Sequence, residues 1–252
     1  MTAILDILRF FEAFAPVQTA MDFDNVGLLI GDKSRTVTKA LVSLDITAET
    51  VEEAAALGCE LIISHHPVIF RPLKRLHTRD AAYLLAHHDI AAVCMHTNLD
   101  LSGDFGVNLC LAAALGLQNV RKSACGECLY IGELAEKADM TAFAAHTKAA
   151  LSCTGLRYTD KKACVQTVAV ASGAGGSDIF AAAEEGADVL VTGEIKHHEI
   201  LAANSLGVNV LDACHFKTED VVILPLAQKL GQAFEDVQFI KSAVSDDGVK
   251  YL

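Results

Sequence analysis

The sequence has no apolar run long enough to cross a membrane; its longest apolar stretches are strand-sized and broken by His, Asp or Gly. A basic amino-terminal segment is missing too. The opening MTAILDILRFFEAFAP carries Asp6 and Glu12, and it spaces Ile4, Ile7, Leu8, Phe11 and Phe14 along one helical face before Pro16. This predicts a helix and not a signal peptide, hence a cytoplasmic protein. Positive charge is scarce: 20 Lys and Arg stand against 32 Asp and Glu, a net charge of −12, and no lysine- or arginine-rich run is expected to offset it. Nucleic-acid binding needs a basic face, so no nucleic-acid partner is expected. A phosphate-bearing substrate would then need a local positive charge, which a metal can supply.

Paired cysteines are nearly absent as well. Of Cys59, Cys94, Cys110, Cys125, Cys128, Cys153, Cys164 and Cys214, most lie in apolar segments, where a reduced cysteine behaves as a small hydrophobe. Only Cys125-Gly-Glu-Cys128 has metal or redox spacing, and a structural zinc site wants a second pair. The glycine-rich GAGGS at 173–177 lacks the lysine of a P-loop and reads as a connector.

What the chain does have is apolar content, 52% against 21% charged in 252 residues, enough for two modest domains or one large one. Short β-rich runs alternate with alanine-rich helices. Strands are predicted at 40–46, 61–64 and 90–95, with helices at 48–58 and 80–88. The order returns later, with strands at 167–172, 188–194 and 208–213 and helices at 178–186 and 197–207. The middle, 121–166, reads less distinctly as a strand pair and a helix. This pattern predicts an α/β protein of two related α/β domains with mainly parallel sheets, divided as 1–122 and 123–252, with a final segment able to pack back on the first domain.

The repeat extends to residues with chemistry. Aligning Gly58 with Gly186 sets GCELIISHH over GADVLVTGE, and aligning His96 with His215 sets HTNLD over HFKTE. Each half thus ends a strand with His-x-x-x-acid, His96 to Asp100 and His215 to Glu219. Each also has an earlier strand-end site, His65-His66 in one and Gly193-Glu194 in the other. Ligands of parallel α/β sheets bind at the carboxyl ends of strands, where these residues lie. Adjacent strand residues point to opposite faces, so His65 and His66 cannot both serve one face of a strand. Past the strand end, before Pro67, either both turn into one cleft or one is half-buried and the other solvated. The groups able to bind metal are His65, His66, His96, Asp100, His215 and Glu219, with Glu194, His197 and His198 as lesser candidates. Mixed imidazole and carboxylate ligands suit Zn, Mn, Fe, Co or Ni. By contrast, AHHD at 86–89 ends a helix without such a pattern and reads as a solvated terminus.

Five stretches, DFDNVGLLIGD (22–32), ISHHPVIF (63–70), HTNLD (96–100), VTGEIKHHE (191–199) and ACHFKTE (213–219), together resemble the GTP cyclohydrolase I type 2 homologue family, also named NIF-three-like. The resemblance runs in order from about residue 4 to the C-terminus and corresponds to the family's compact bacterial form. It implies two α/β domains with a metal site in the cleft between them, and a ring-shaped homohexamer. It also implies two divalent metal ions per subunit on His65, His66, Asp100, His215 and Glu219. Glu219 is the natural bridge, each adjacent histidine serves a different metal, and His96 lines the site as a catalytic candidate beside Glu219. Cys214 departs from the small residue expected there and puts neither neighbouring ligand in doubt. The family naming suggests a hydrolase acting on a nucleotide or other small phosphorylated substrate, with GTP the first candidate. A non-catalytic metal-binding scaffold and a di-metal phosphoesterase are the alternatives.

Overall fold

A computed structural model describes residues 1–250. In chain order the elements are α1 (Ile4–Glu12), β1 (Gly27–Ile30), β2 (Lys39–Ser43), α2 (Ala48–Leu57), β3 (Leu61–Ser64), α3 (Ala81–His87), β4 (Ala91–Cys94) and α4 (Thr97–Asp100). Next come α5 (Val107–Ala114), β5 (Gln118–Lys122), β6 (Tyr130–Asp139), α6 (Met140–Ala150), β7 (Arg157–Tyr158), β8 (Cys164–Ala171) and α7 (Ile179–Glu184). The chain ends with β9 (Val189–Thr192), α8 (His197–Leu206), β10 (Asn209–Asp212), α9 (His215–Glu219), α10 (Ile223–Ala233) and β11 (Gln238–Lys241). Among the described residues no helix is long and apolar enough to cross a membrane.

Two compact units form. The first takes Met1–Phe105 and Ile223–Asp246; the second takes Gly106–Val222 and the described residues from Asp247 onward. The division falls at Phe105, before α5, whereas the sequence reading puts it at 122. The reason is apolar packing: Leu111, Ala112, Leu115 and Leu117 join the core formed by β6, β8, β9 and β10. Sequence order did not show this, because a short apolar helix fits either neighbour equally well.

In the first unit the sheet order is β1-β4-β3-β2-β11, parallel except for β1. β3 and β4 are buried along their whole length and β2 beyond Lys39, as expected of strands covered on both faces. The second sheet runs β5-β6-β8-β9-β10-β7, with a parallel centre of β8, β9 and β10 between antiparallel flanks. The two parallel centres are built alike. Gly58 and Gly186 both take the left-handed conformation after their helices, with φ of 70° and 74°. Register then sets the strand ends level: Ser43, Ser64 and Cys94 pair across the first sheet, and Ala171, Thr192 and Asp212 across the second. Residues just past those ends necessarily share one edge of their sheet.

One expectation about charge fails. The segment 67–80 after β3 forms neither helix nor strand, and Arg71, Lys74, Arg75 and Arg79 are all exposed on it. Four of the chain's 20 cations thus fall within nine residues that include no acid. The net charge of −12 hides this run because it averages over the whole chain.

Candidate metal centre

The histidine pair owes its geometry to a turn. The Ser64 hydroxyl donates to the His66 carbonyl at 2.7 Å, and the backbone N–H groups of His65 and His66 donate to Ser43 and Leu44. The chain therefore leaves strand geometry after Ser64, and both rings serve one side. Their centroids are 5.0 Å apart, and each is close to the His96 ring, at 5.2 Å and 5.5 Å. One ligand atom from each of His65, His66 and His96 lies within 4.8 Å of the others, close enough to hold a metal ion.

Each imidazole is oriented from behind. His65, only 1% exposed, places Nδ1 at 2.9 Å from the Met95 carbonyl. A carbonyl only accepts, so Nδ1 carries the proton and Nε2 the lone pair that a metal needs. His66 Nδ1 meets Asp45 Oδ1 at 2.8 Å, and His96 Nδ1 meets Asp24 Oδ1 at 2.8 Å. Asp100 closes α4 with Oδ1 at 3.7 Å from His65 Nε2. In the second unit, His215 and Glu219 lie one helical turn apart on α9, with Nε2 and Oε2 at 3.1 Å. His215 Nδ1 meets Glu194 Oε1 at 2.7 Å. All four histidines are thus held at Nδ1 by a carboxylate or carbonyl, the arrangement that fixes the tautomer of a metal-binding histidine.

Asp24 is the most constrained of the supporting acids. Burial alone would raise its carboxyl. Hydrogen bonds from His96, from the Thr97 hydroxyl at 2.5 Å and from the Thr97 N–H at 3.0 Å outweigh that, and hold Asp24 well below the usual carboxylate range. It therefore stays ionised beside His96.

Local backbone explains two further sequence features. Gly173 has a φ of +58°, and a Cβ there would collide with the Glu219 carboxylate. Cys214, where a small residue was expected, sits at φ 74°, a conformation that L side chains rarely adopt. Its sulfur reaches Asp247 Oδ1 at 3.2 Å and its N–H reaches Asp212 Oδ1, also at 3.2 Å.

The predicted residues divide clearly. The first unit brings His65, His66, His96 and Asp100 together, and the second pairs His215 with Glu219. His96, counted among the groups able to bind metal and expected to line the site as a catalytic candidate, stands within the histidine cluster. Glu194, a lesser candidate, lies against His215 Nδ1. His197 and His198 are exposed on the first turn of α8, with His198 Nε2 at 4.0 Å from Glu199. His88 ends its helix against Glu52 at 3.4 Å, outside the cluster. No disulfide joins Cys125, which is exposed, to Cys128, which is half-buried. Sequence reasoning missed the orienting roles of Asp24 and Asp45. Asp24 lies inside the first quoted motif and Asp45 just past a strand end, so the signal was position and not spacing.

A family model described as Duf34/NIF3 (NGG1p interacting factor 3) matches residues 2–248. A Clostridium perfringens protein named GTP cyclohydrolase 1 type 2 homolog is 33% identical over 260 residues, covering 98% of each chain. Among solved structures, a Bacillus cereus protein related to NIF3 superposes with a TM-score of 0.93 at 26% identity, over 100% of this chain and 99% of that one. A Staphylococcus aureus hypothetical protein superposes with a TM-score of 0.92 at 29% identity, over 99% of both chains.

Proposed function

The chain belongs to the Duf34/NIF3 family, and from that premise we propose that it is a metal-dependent hydrolase of a nucleotide or other small phosphorylated substrate. Two divalent cations would be held by His65, His66, Asp100, His215 and Glu219, with Glu219 bridging. The observation that carries this reading is the shared orientation of the four histidines, each held at Nδ1 by a carboxylate or carbonyl. When bound, a pair of divalent cations supplies Lewis acidity that polarises a bond and activates water near neutrality. The donors of mixed nitrogen and oxygen type suit Zn, Mn, Fe, Co or Ni. Two such ions against the charges of Asp100 and Glu219 leave a net positive centre, which favours an anionic substrate in an otherwise acidic protein.

The remaining roles belong to the chain. Asp24, Asp45, Glu194 and the Met95 carbonyl fix ring orientation and tautomer. His96, held at Nδ1 by Asp24, is the residue placed to hold or pass a proton at Nε2. GTP is the first substrate to test, since the full-length Clostridium relative is named for it.

The test loads purified protein with Mn, Zn, Fe or Ni and screens nucleotides and phosphoesters. Turnover that disappears with chelator is expected. Cleavage of phosphoesters alone would move the assignment to a phosphoesterase. No turnover with any metal would sink the hydrolase reading in favour of a metal-binding interaction protein, the role that the family's description as an interacting factor suggests.

The same reading includes a closed ring of six subunits. Exposed Phe180 on α7 and exposed Leu201 and Leu206 on α8 lie on helices that pack side by side, an apolar surface of the kind that subunit contacts cover. Light scattering should give a mass near six times 26.8 kDa, unchanged by chelator. A stable monomer would overturn the ring.

A further inference from the structure

The arginines of this chain fall into two groups. Arg9, Arg35, Arg121 and Arg157 each pair with an acid: Asp6, Asp89, Glu185 and Asp212. Arg71, Arg75 and Arg79 form no ion pair among the described residues, and neither does Lys74 between them. Arg79 lines a cavity with Glu49 and Glu52, which places counter-charge near it. Arg71, Lys74 and Arg75 have no comparable neighbours in sequence, since residues 61–79 contain no acid. Three exposed like charges within five residues repel one another, and a protein with 32 acidic side chains leaves them unpaired.

The loop holding them is anchored to the histidine cluster. The Asn25 side-chain amide donates to the Ile69 carbonyl at 2.5 Å. The Phe70 ring lies 6.2 Å from Phe23 and 6.3 Å from His96. Phe70 is therefore in ring contact with one member of the cluster and adjacent in sequence to Arg71. It remains 42% exposed, with Leu73 and Leu76 exposed further along the loop. Long segments without regular structure inside compact units are commonly functional.

We propose that Arg71, Lys74 and Arg75 form a receptor for the phosphate groups of a compact phosphorylated ligand, beside the His65–His66–His96 cluster. This names the recognised group of the substrate for the centre proposed above, and to that extent rests on that reading. Guanidinium and ammonium groups donate charge-assisted hydrogen bonds to phosphate oxygens, which share their negative charge among three unpaired cations. Phe70 and the loop leucines offer apolar surface to whatever the phosphates are attached to. The ligand must be small. Residues 71–75 span no more than roughly 15 Å even when extended, and the surrounding excess of acids repels a longer polyanion or an anionic membrane.

Titration calorimetry in the presence of chelator separates recognition from turnover. GTP and inorganic triphosphate should both bind, more weakly as salt rises, whereas guanosine should not bind comparably. Arg71→Ala/Lys74→Ala/Arg75→Ala should weaken GTP binding by about a hundredfold, the expected loss of several charged hydrogen bonds, and Arg71→Lys/Arg75→Lys should keep most of it. Tighter binding of GTP than of inorganic triphosphate identifies the ligand as a nucleotide; equal binding identifies free polyphosphate, and either supports the receptor. Unchanged GTP affinity in the triple alanine variant overturns the proposal. So does guanosine binding as tightly as GTP, or tighter binding of a single-stranded oligonucleotide or of phosphatidylserine vesicles. Phosphate binding by wild-type protein that turns over nothing with any metal sinks the hydrolase and leaves the receptor standing. Turnover by the triple variant at wild-type KM does the reverse.

Discussion

Glu219→Gln protein should lose most of both metal equivalents, measured by elemental analysis after gentle purification. Glu219 is 5% exposed, and its carboxylate is 3.1 Å from His215 Nε2. An amide in its place has the same shape without the charge, and its N–H groups cannot ligate. If Glu219 bridges, a single substitution weakens both ions, whereas His65→Ala and His66→Ala should each spare one. Full occupancy of one ion in Glu219→Gln protein would remove the bridging role. His88→Ala is the matched control: this histidine also contacts a glutamate, Glu52, but on the surface at a helix end. Its metal content should equal that of wild type.

Gly193→Ala should destabilise the protein by about 3 kcal/mol, near the upper end of overpacking effects, although it adds only a methyl group. Gly193 follows β9, and its N–H donates to the Gly173 carbonyl at 2.9 Å. A Cβ there would stand 2.5 Å from the His215 Cα, 2.7 Å from Thr218 Oγ1 and 2.8 Å from the Gly173 oxygen. Two of these three atoms are backbone, so no side-chain rotation relieves the contact. The strand end and α9 must separate, and α9 carries His215 and Glu219, so metal content should fall together with the urea midpoint. Gly231→Ala is the comparison. A Cβ there meets nothing within 4 Å, and the residue lies inside α10, so alanine should be neutral or stabilising by up to about 1 kcal/mol. Equal midpoints for the two variants would refute the close-approach account.

Much of this organisation was legible beforehand. Apolar runs of strand length, alternating with helical spacing, marked β3 at 61–64 without error, and located β2, β4, β9 and β10 to within a few residues. The doubled pattern of Gly58 and Gly186, and of HTNLD and HFKTE, marked the two halves. These features are local: they depend on side-chain periodicity and on glycine at left-handed positions, which a sequence displays directly. The charge of the 71–79 run was equally local, but it was overlooked because net charge was taken over the whole chain.

What the sequence by itself determined is therefore α1, the central strands of both sheets with the helices between them, their repeat, and the imidazole and carboxylate groups at the strand ends. Only the tertiary structure decided how those groups are held. Asp24 reaches His96 across 72 residues, and Asp45 and Glu194 reach His66 and His215 across 21 each. Edge strand β11 joins β2 from the far end of the chain. Such partners are selected by register and burial, which bring strand ends level however far apart they lie in sequence. A buried imidazole then takes its tautomer from whichever acceptor the fold delivers to its Nδ1, and no spacing rule encodes that choice.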